Sequence, residues 1–263
     1  MFKEIFVRVI IFIAKTSVIG RRGKFRKFLI SIILMIVKNS DNMNFQINGV
    51  PFKIYFDTDF KSIFGNYNLR EIKFLIHNLK KDGTFLDIGA NYGYYSQTIS
   101  FHNLTKNVLS VEPNTKLVSR IKDNFSILLD HKKNVSPIVV ENVAVSNNKY
   151  KAFLNLSSGL GRAFLENKFS SKSVKVSCDT LKNIILRNNI KKISGMKIDI
   201  EGHEDKALLP FFEEVNKDLY PEIILIEHTS NENWSLDIIS YLKNIGYKET
   251  FRTKANMALK FNN

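Results

Sequence analysis

The chain has 263 residues, 44% hydrophobic and 24% charged, which excludes global disorder and accommodates one α/β domain with an appendage. A single cysteine, Cys178, excludes an intramolecular disulfide or a cysteine-based zinc cluster and reads as a small buried hydrophobe in a reducing, cytoplasmic compartment. The net charge of +14 is concentrated at the amino end, which argues against a uniformly basic nucleic-acid surface, so no nucleic-acid partner is expected.

Residues Met1–Lys38 carry nine Lys or Arg and one acid, Glu4, interleaved with Phe6, Val9, Ile10, Phe12, Phe28, Leu29, Ile32, Ile33 and Met35. This pattern predicts a basic amphipathic helical extension over 1–40. The extension either lies on the inner face of a membrane or packs on the rest of the chain with its basic face in water. The apolar runs Val9–Ala14 and Phe28–Val37 are too short to span a bilayer, which needs about 20 residues. Lys15 and the basic cluster after it stand where a signal peptide would carry a small-residue cleavage site, so no secretion signal is expected.

The polar, Asn-rich stretch Asn39–Asn48 marks a junction, and a second domain is expected over 41–263. Phe45–Phe56 predicts a hairpin turning at Asn48-Gly49, and Leu69–Leu79 predicts a helix closed by Gly83. From Thr84 onward, short apolar runs alternate with helical patterns. Strands are expected at Thr84–Ile88, Asn107–Glu112, Ser136–Glu141, Gly195–Ile200 and Glu222–Glu227. Helices are expected after Asn114, after a cap at Asp179, and over Trp234–Ile245; two strands, Tyr247–Arg252 and Met257–Phe261, end the chain. The order suits a seven-stranded α/β sheet.

The first of these strands runs into Gly89-Ala90-Asn91-Tyr92-Gly93 and then a helix. Glycines there let the backbone turn sharply against a ligand, and the helix start offers free amides. A dinucleotide fingerprint is excluded, because position 91 is Asn and position 94 is Tyr. Asp87 would repel a pyrophosphate but can hold an ammonium group. Glu112, at the end of the next strand, can accept both hydroxyls of a ribose, and Asn142, after the third, offers an amide to an adenine edge. Together they point to an adenosyl amino acid.

A second cluster runs Lys197-Ile198-Asp199-Ile200-Glu201-Gly202-His203-Glu204. Strand alternation would put Lys197, Asp199 and Glu201 on one side, with His203 just beyond as a general base for a hydroxyl nucleophile. Metal binding by Asp, Glu and His is a rival reading, and so is a helix start decorated with acids. No metal ligand is assigned, and metal dependence stays open.

LDIGANYGYYS, SVEPN, ENVAVS, CDTL and MKIDIEGHE, in this order, resemble the FkbM-type methyltransferase family over roughly Leu69 to His228. The resemblance implies a class I, Rossmann-like fold with a mostly parallel seven-stranded sheet and helices on both faces. It implies S-adenosyl-L-methionine as cofactor, held by Asp87, Gly89, Ala90, Asn91, Gly93, Glu112, Asn142 and Asp199. It places acceptor chemistry at Asp199, Glu201, His203 and Glu204, with His203 the first choice of base and Asp199 or Glu201 the second. The expected reaction is O-methylation of a hydroxyl on a glycan or other hydroxyl-bearing substrate, the favoured acceptor being a cell-surface glycan or its lipid-linked precursor. Two alternatives stand: an adenosyl-ligand binding module without catalysis, and an RNA methyltransferase prompted by the positive charge. The oligomeric state is not legible.

Overall fold

The computed structural model of the protein describes residues 6–7, 9–12, 23–36, 42–56, 68–157, 163–166 and 169–262. It divides into two compact units, 1–69 and 70–263. The expected Asn39–Asn48 junction and the apolar runs ending at Ala14 and Val37 lie partly outside the described residues.

Within the first unit, residues 6–7 and 9–12 are helical, and a longer helix follows, α1 (Gly23–Ile36). Leu29 and Ile33 are buried while Phe28 and Met35 stand exposed. The hairpin pairs β1 (Asn42–Ile47) with β2 (Val50–Tyr55). Its two-residue turn forms because Asn48 and Gly49 both accept positive φ, 53° and 84°, the twist that matches the flanking strands.

The second unit is organised by a seven-stranded sheet. Its elements in chain order begin with α2 (Leu69–Asn78), β3 (Thr84–Ile88), α3 (Tyr94–Phe101), β4 (Asn107–Val111) and α4 (Thr115–His131). There follow β5 (Ile138–Glu141), β6 (Ala144–Val145), β7 (Tyr150–Asn155), β8 (Phe164–Glu166), β9 (Ser173–Asp179) and α5 (Leu181–Arg187). The unit closes with β10 (Ile193–Ile198), α6 (Glu204–Glu214), β11 (Ile223–Glu227), α7 (Ile238–Asn244), β12 (Tyr247–Arg252) and β13 (Asn256–Phe261).

The main sheet has the order β12-β13-β11-β10-β3-β4-β5. It is mixed rather than mostly parallel: β11, β10, β3, β4 and β5 run parallel, and β13 pairs antiparallel with both β11 and β12. The physical reason is the short link from β12 to β13, which allows only an antiparallel return.

Both faces of the sheet are covered. Leu86, Ile88, Leu109, Met196, Ile198, Ile224 and Ile226 pack with Leu181, Ile184, Leu208, Phe211 and Leu242 of α5, α6 and α7. Alternation turns Asp87 and Ser110 to the other face, where Ser96 of α3 meets both. A second sheet, β6-β9-β7-β8, fills the stretch between β5 and α5 where no element was expected. Cys178 lies in its apolar core with Ala152, Leu154 and Val176, and burial pushes its thiol up, as befits an inert side chain.

Other boundaries moved for identifiable reasons. The cap of α5 is Thr180, whose hydroxyl accepts from the Asn183 N–H, whereas Asp179 accepts from the Thr180 N–H and pairs with Arg187. The last helix starts at Ile238 rather than Trp234, because the Asp237 carboxylate caps it through the Ile239 and Ser240 N–H groups. Strand β10 ends at Ile198, two residues earlier than expected.

Candidate active site

The glycine turn joins β3 to α3. Gly89 and Ala90 both donate their N–H to the Val111 carbonyl of β4, and Gly93 closes the turn on the Ala90 carbonyl. Gly89 has φ 75°, and a Cβ there would stand 2.0 Å from the Asp199 carbonyl oxygen. Only glycine leaves room for the segment after β10 to press against the turn. Asn91, also left-handed at φ 55°, donates its N–H to Glu112 Oε2 at 2.9 Å.

Glu112 follows β4 and is almost fully buried. Its Oε1 accepts from the Asn114 N–H at 2.9 Å, so one carboxylate clamps two backbone turns. Burial pushes its pKa up to about 7, against the lowering effect of these two amides. Each oxygen keeps a lone pair for a further donor.

Three of the expected site features have partners within the chain. Asp87 is 1% exposed, and its Oδ2 accepts both the N–H and the hydroxyl of Ser96. Asp87 thereby ties the first turn of α3 to β3, and the cation beside it is Lys197, its register partner on β10. Burial pushes its carboxyl up and Lys197 opposes the shift. Asn142 is committed as well: its amide donates to the Glu112 and Pro113 carbonyls at 3.0 and 2.9 Å, and its oxygen accepts from the Thr115 hydroxyl. Those bonds shape the loop after β4.

The third is the acidic cluster. Because β10 ends at Ile198, Lys197, Asp199 and Glu201 do not share one strand face. Buried Lys197 donates to Asp199 Oδ2 at 2.8 Å and lies 5.3 Å from the Tyr95 ring centroid. Glu201 sits in a left-handed turn at φ 56°, followed by Gly202. Glu204 closes that turn, with Oε1 accepting the Ile200 N–H and Oε2 accepting the Trp234 indole N–H at 2.7 Å. Among the described residues, Asp199, Glu204 and Glu227 bring carboxylate oxygens within 4.8 Å of one another, a metal-competent grouping. Burial raises the carboxyls of Glu204 and Glu227, and the charge of Asp199 adds to both shifts.

His203 caps α6 without a side-chain capping bond. Its Nε2 lies 3.0 Å from Ser146 Oγ, which in turn lies 3.0 Å from the Tyr150 hydroxyl. Burial, reinforced by the charge of Lys206, pushes its pKa down to about 4, so the ring is neutral at physiological pH. Asn147, Tyr150, Leu165, His203 and Lys206 line a pocket of about 340 Å³.

Ser96, Ser110, Ser146, Tyr150, Glu227 and Trp234 were given no role by sequence reasoning. Ser96, Ser110 and Ser146 carried a signal, as members of LDIGANYGYYS, SVEPN and ENVAVS. Two buried acceptors at the glycine turn, Asp87 Oδ1 and Asn91 Oδ1, have no donor among the described residues. A ligand bearing N–H or O–H groups fits that lack, and Glu112 extends the acceptor set.

A glycine turn at the carboxyl edge of parallel strands, braced by a buried acid from the next strand, defines a small-ligand site of an open α/β sheet. The model of the methyltransferase FkbM domain matches residues 87–249, and the chain belongs to that family. Among solved structures, the methyltransferase FkbM from Methylobacillus flagellatus is similar at 15% identity and TM-score 0.47, over 75% of this chain. This chain spans 54% of that one's length. An rRNA methylase from Streptococcus thermophilus is similar at 10% identity and TM-score 0.42, over 73% of this chain and 95% of that one. M. jannaschii TYW2 in complex with AdoMet is similar at 12% identity and TM-score 0.43, over 84% and 87%. A search among curated proteins finds no match.

Proposed function

We propose that the chain is an S-adenosyl-L-methionine-dependent O-methyltransferase acting on a sugar hydroxyl of a cell-surface glycan or its lipid-linked precursor. The observation that carries this reading is the convergence of Glu112 on the Asn91 N–H, which joins an ionisable acceptor to the glycine turn. Family membership supports methyl transfer as the chemistry. Bound S-adenosyl-L-methionine supplies a methyl carbon that leaves its sulfur, which keeps the electron pair, for an acceptor oxygen that gives up its proton.

The chain's own residues divide the remaining work. Glu112 would accept the two ribose hydroxyls of that cofactor, and Asn91 Oδ1 would take a donor from it. Asp87 acts as a positioning residue that fixes α3 against the turn. Asp199 contributes its backbone, which packs against Gly89, while Lys197 holds its side chain. His203 takes the acceptor proton: its imidazole is neutral at pH 7, and Nε2 is oriented by Ser146. Most of the acceleration comes from positioning, worth about 7–11 kcal/mol.

His203→Ala is expected to lower turnover by about 10²-fold, the low end for a general base, since a base with so depressed a pKa is weak. Cofactor affinity should stay unchanged, measured by calorimetry beside steady-state kinetics. Turnover within a few-fold of the parent would remove His203 from the role.

The amino-terminal extension supports action at a membrane surface. Phe12 and Met35 are 66% and 69% exposed, on helices in a segment whose charge is +8 over residues 1–38. Among the described residues, no helix is long and apolar enough to cross a membrane. Deleting residues 1–38 is expected to abolish co-sedimentation with anionic liposomes. Equal sedimentation of both forms, or none by the full chain, sinks the membrane part.

A further inference from the structure

The pocket beside His203 has a chemical character that the methyl-transfer reading does not require. Its described lining is Asn147, Tyr150, Leu165, His203 and Lys206, a polar set holding one cation and no acid. Lys206 is half-buried and forms no hydrogen bond or ion pair among the described residues. Other cations of the same unit, such as Lys182, Arg187 and Lys192, are paired with carboxylates. The two acids next to Lys206 in sequence are turned to other partners: Glu204 to the Trp234 indole, and Asp205 Oδ2 to the Ser235 N–H at 2.7 Å. His203 and Lys206 lie three residues apart at the start of α6, so both face the same cavity.

An unpaired ammonium group held half out of water is a strong attractor for anionic oxygen, and the Tyr150 hydroxyl and Asn147 amide add neutral donors around it. We infer that this pocket receives the acceptor through an anionic oxygen group, phosphate or carboxylate, held by Lys206 beside His203. This rests on the methyltransferase reading for the word acceptor, and on the pocket alone for the anion. A volume of about 340 Å³ suits a monosaccharide carrying one such group and lies within the range of small-ligand sites. The chemical consequence is selectivity: an uncharged sugar leaves Lys206 without a partner, whereas a sugar phosphate or uronate places its charge on the amine and its hydroxyls near the imidazole.

The test follows the His203 ring resonances of the full chain by NMR, identified by their loss in His203→Gln. Glucose 1-phosphate, glucuronate and methyl glucoside are titrated separately. Saturable shifts are expected with one or both anions and none with methyl glucoside; comparing the two anions decides between phosphate and carboxylate. Lys206→Met should weaken the anion's affinity at least tenfold, and Lys206→Arg should restore most of it. Equal binding of methyl glucoside, an unaffected Lys206→Met, or no saturable shift with either anion overturns the inference. Calorimetric titration with S-adenosyl-L-methionine separates the two layers. Cofactor uptake without anion binding defeats this inference alone. Anion binding without cofactor uptake keeps the anion site and defeats its role as acceptor pocket.

Discussion

Glu112→Gln is expected to weaken S-adenosyl-L-methionine binding by about 10–100-fold, because hydrogen bonds to a charged group are worth roughly 1.5–3 kcal/mol. The substitution puts an amide NH2 where one oxygen now accepts a backbone N–H from Asn91 or Asn114, so the turn loses a bond as well as a charge. The same carboxylate gives the parent protein a pH signature. Its pKa is raised by burial to about 7 in the unliganded protein, and donors from a ribose favour the ionised form. The bound pKa is therefore lower than the free one, and affinity falls as pH drops below about 7, by up to about tenfold per unit. The variant has no titrating group there and should bind with little pH dependence between 6 and 8. Calorimetric titration at pH 6, 7 and 8 on both proteins measures this. A flat parent profile would show that Glu112 does not meet the cofactor's hydroxyls.

Gly89→Ala should be the most damaging single methyl in the domain. At φ 75° an alanine is strained by about 1 kcal/mol or more, and its Cβ would stand 2.0 Å from the Asp199 carbonyl oxygen. That atom is backbone, in a segment held by the Asp199 N–H bond to the Ile88 carbonyl and by the Lys197 to Asp199 ion pair. It cannot swing aside as a side chain would. Relief requires the turn and the segment after β10 to part, which costs about 2–4 kcal/mol in total and separates the two halves of the site. Denaturant unfolding should show that loss, and cofactor binding should be undetectable. A variant as stable as the parent, with binding intact, would mean that the two segments are not pressed together as described.

These two residues also show how far sequence reading reached. Gly89 and Glu112 were legible because their chemistry is local: a glycine turn after an apolar strand, and an acid at the end of the next. Strand β3 and the Asn114 cap of α4 were legible for the same reason, from an apolar run and a side chain that accepts the Lys116 N–H two residues on. The partners that Asp87 and Asn142 have in the fold were not legible because they are tertiary. Nothing near Asp87 in sequence says that Ser96, one turn into α3, will take its Oδ2, or that a buried lysine will stand in the adjacent register. Asn142 faced solvent as easily as ligand until the Glu112 and Pro113 carbonyls claimed its amide. Asp199 and Glu201 were put on one face because alternation was carried past Ile198, where the strand had ended. The second sheet over 144–179 was invisible, its short strands broken by polar residues such as Asn155, Ser173 and Ser177.

Transfer of the methyl group itself is the most direct measure of the proposed function. The full chain would be incubated with methyl-labelled S-adenosyl-L-methionine and, separately, with the lipid-linked glycan, polysaccharide and RNA fractions of its host. Label is expected in a glycan-bearing fraction, stable to mild base as an ether is, and lost in Glu112→Gln. Cofactor binding with no label in any fraction, or label retained only in RNA, would contradict it.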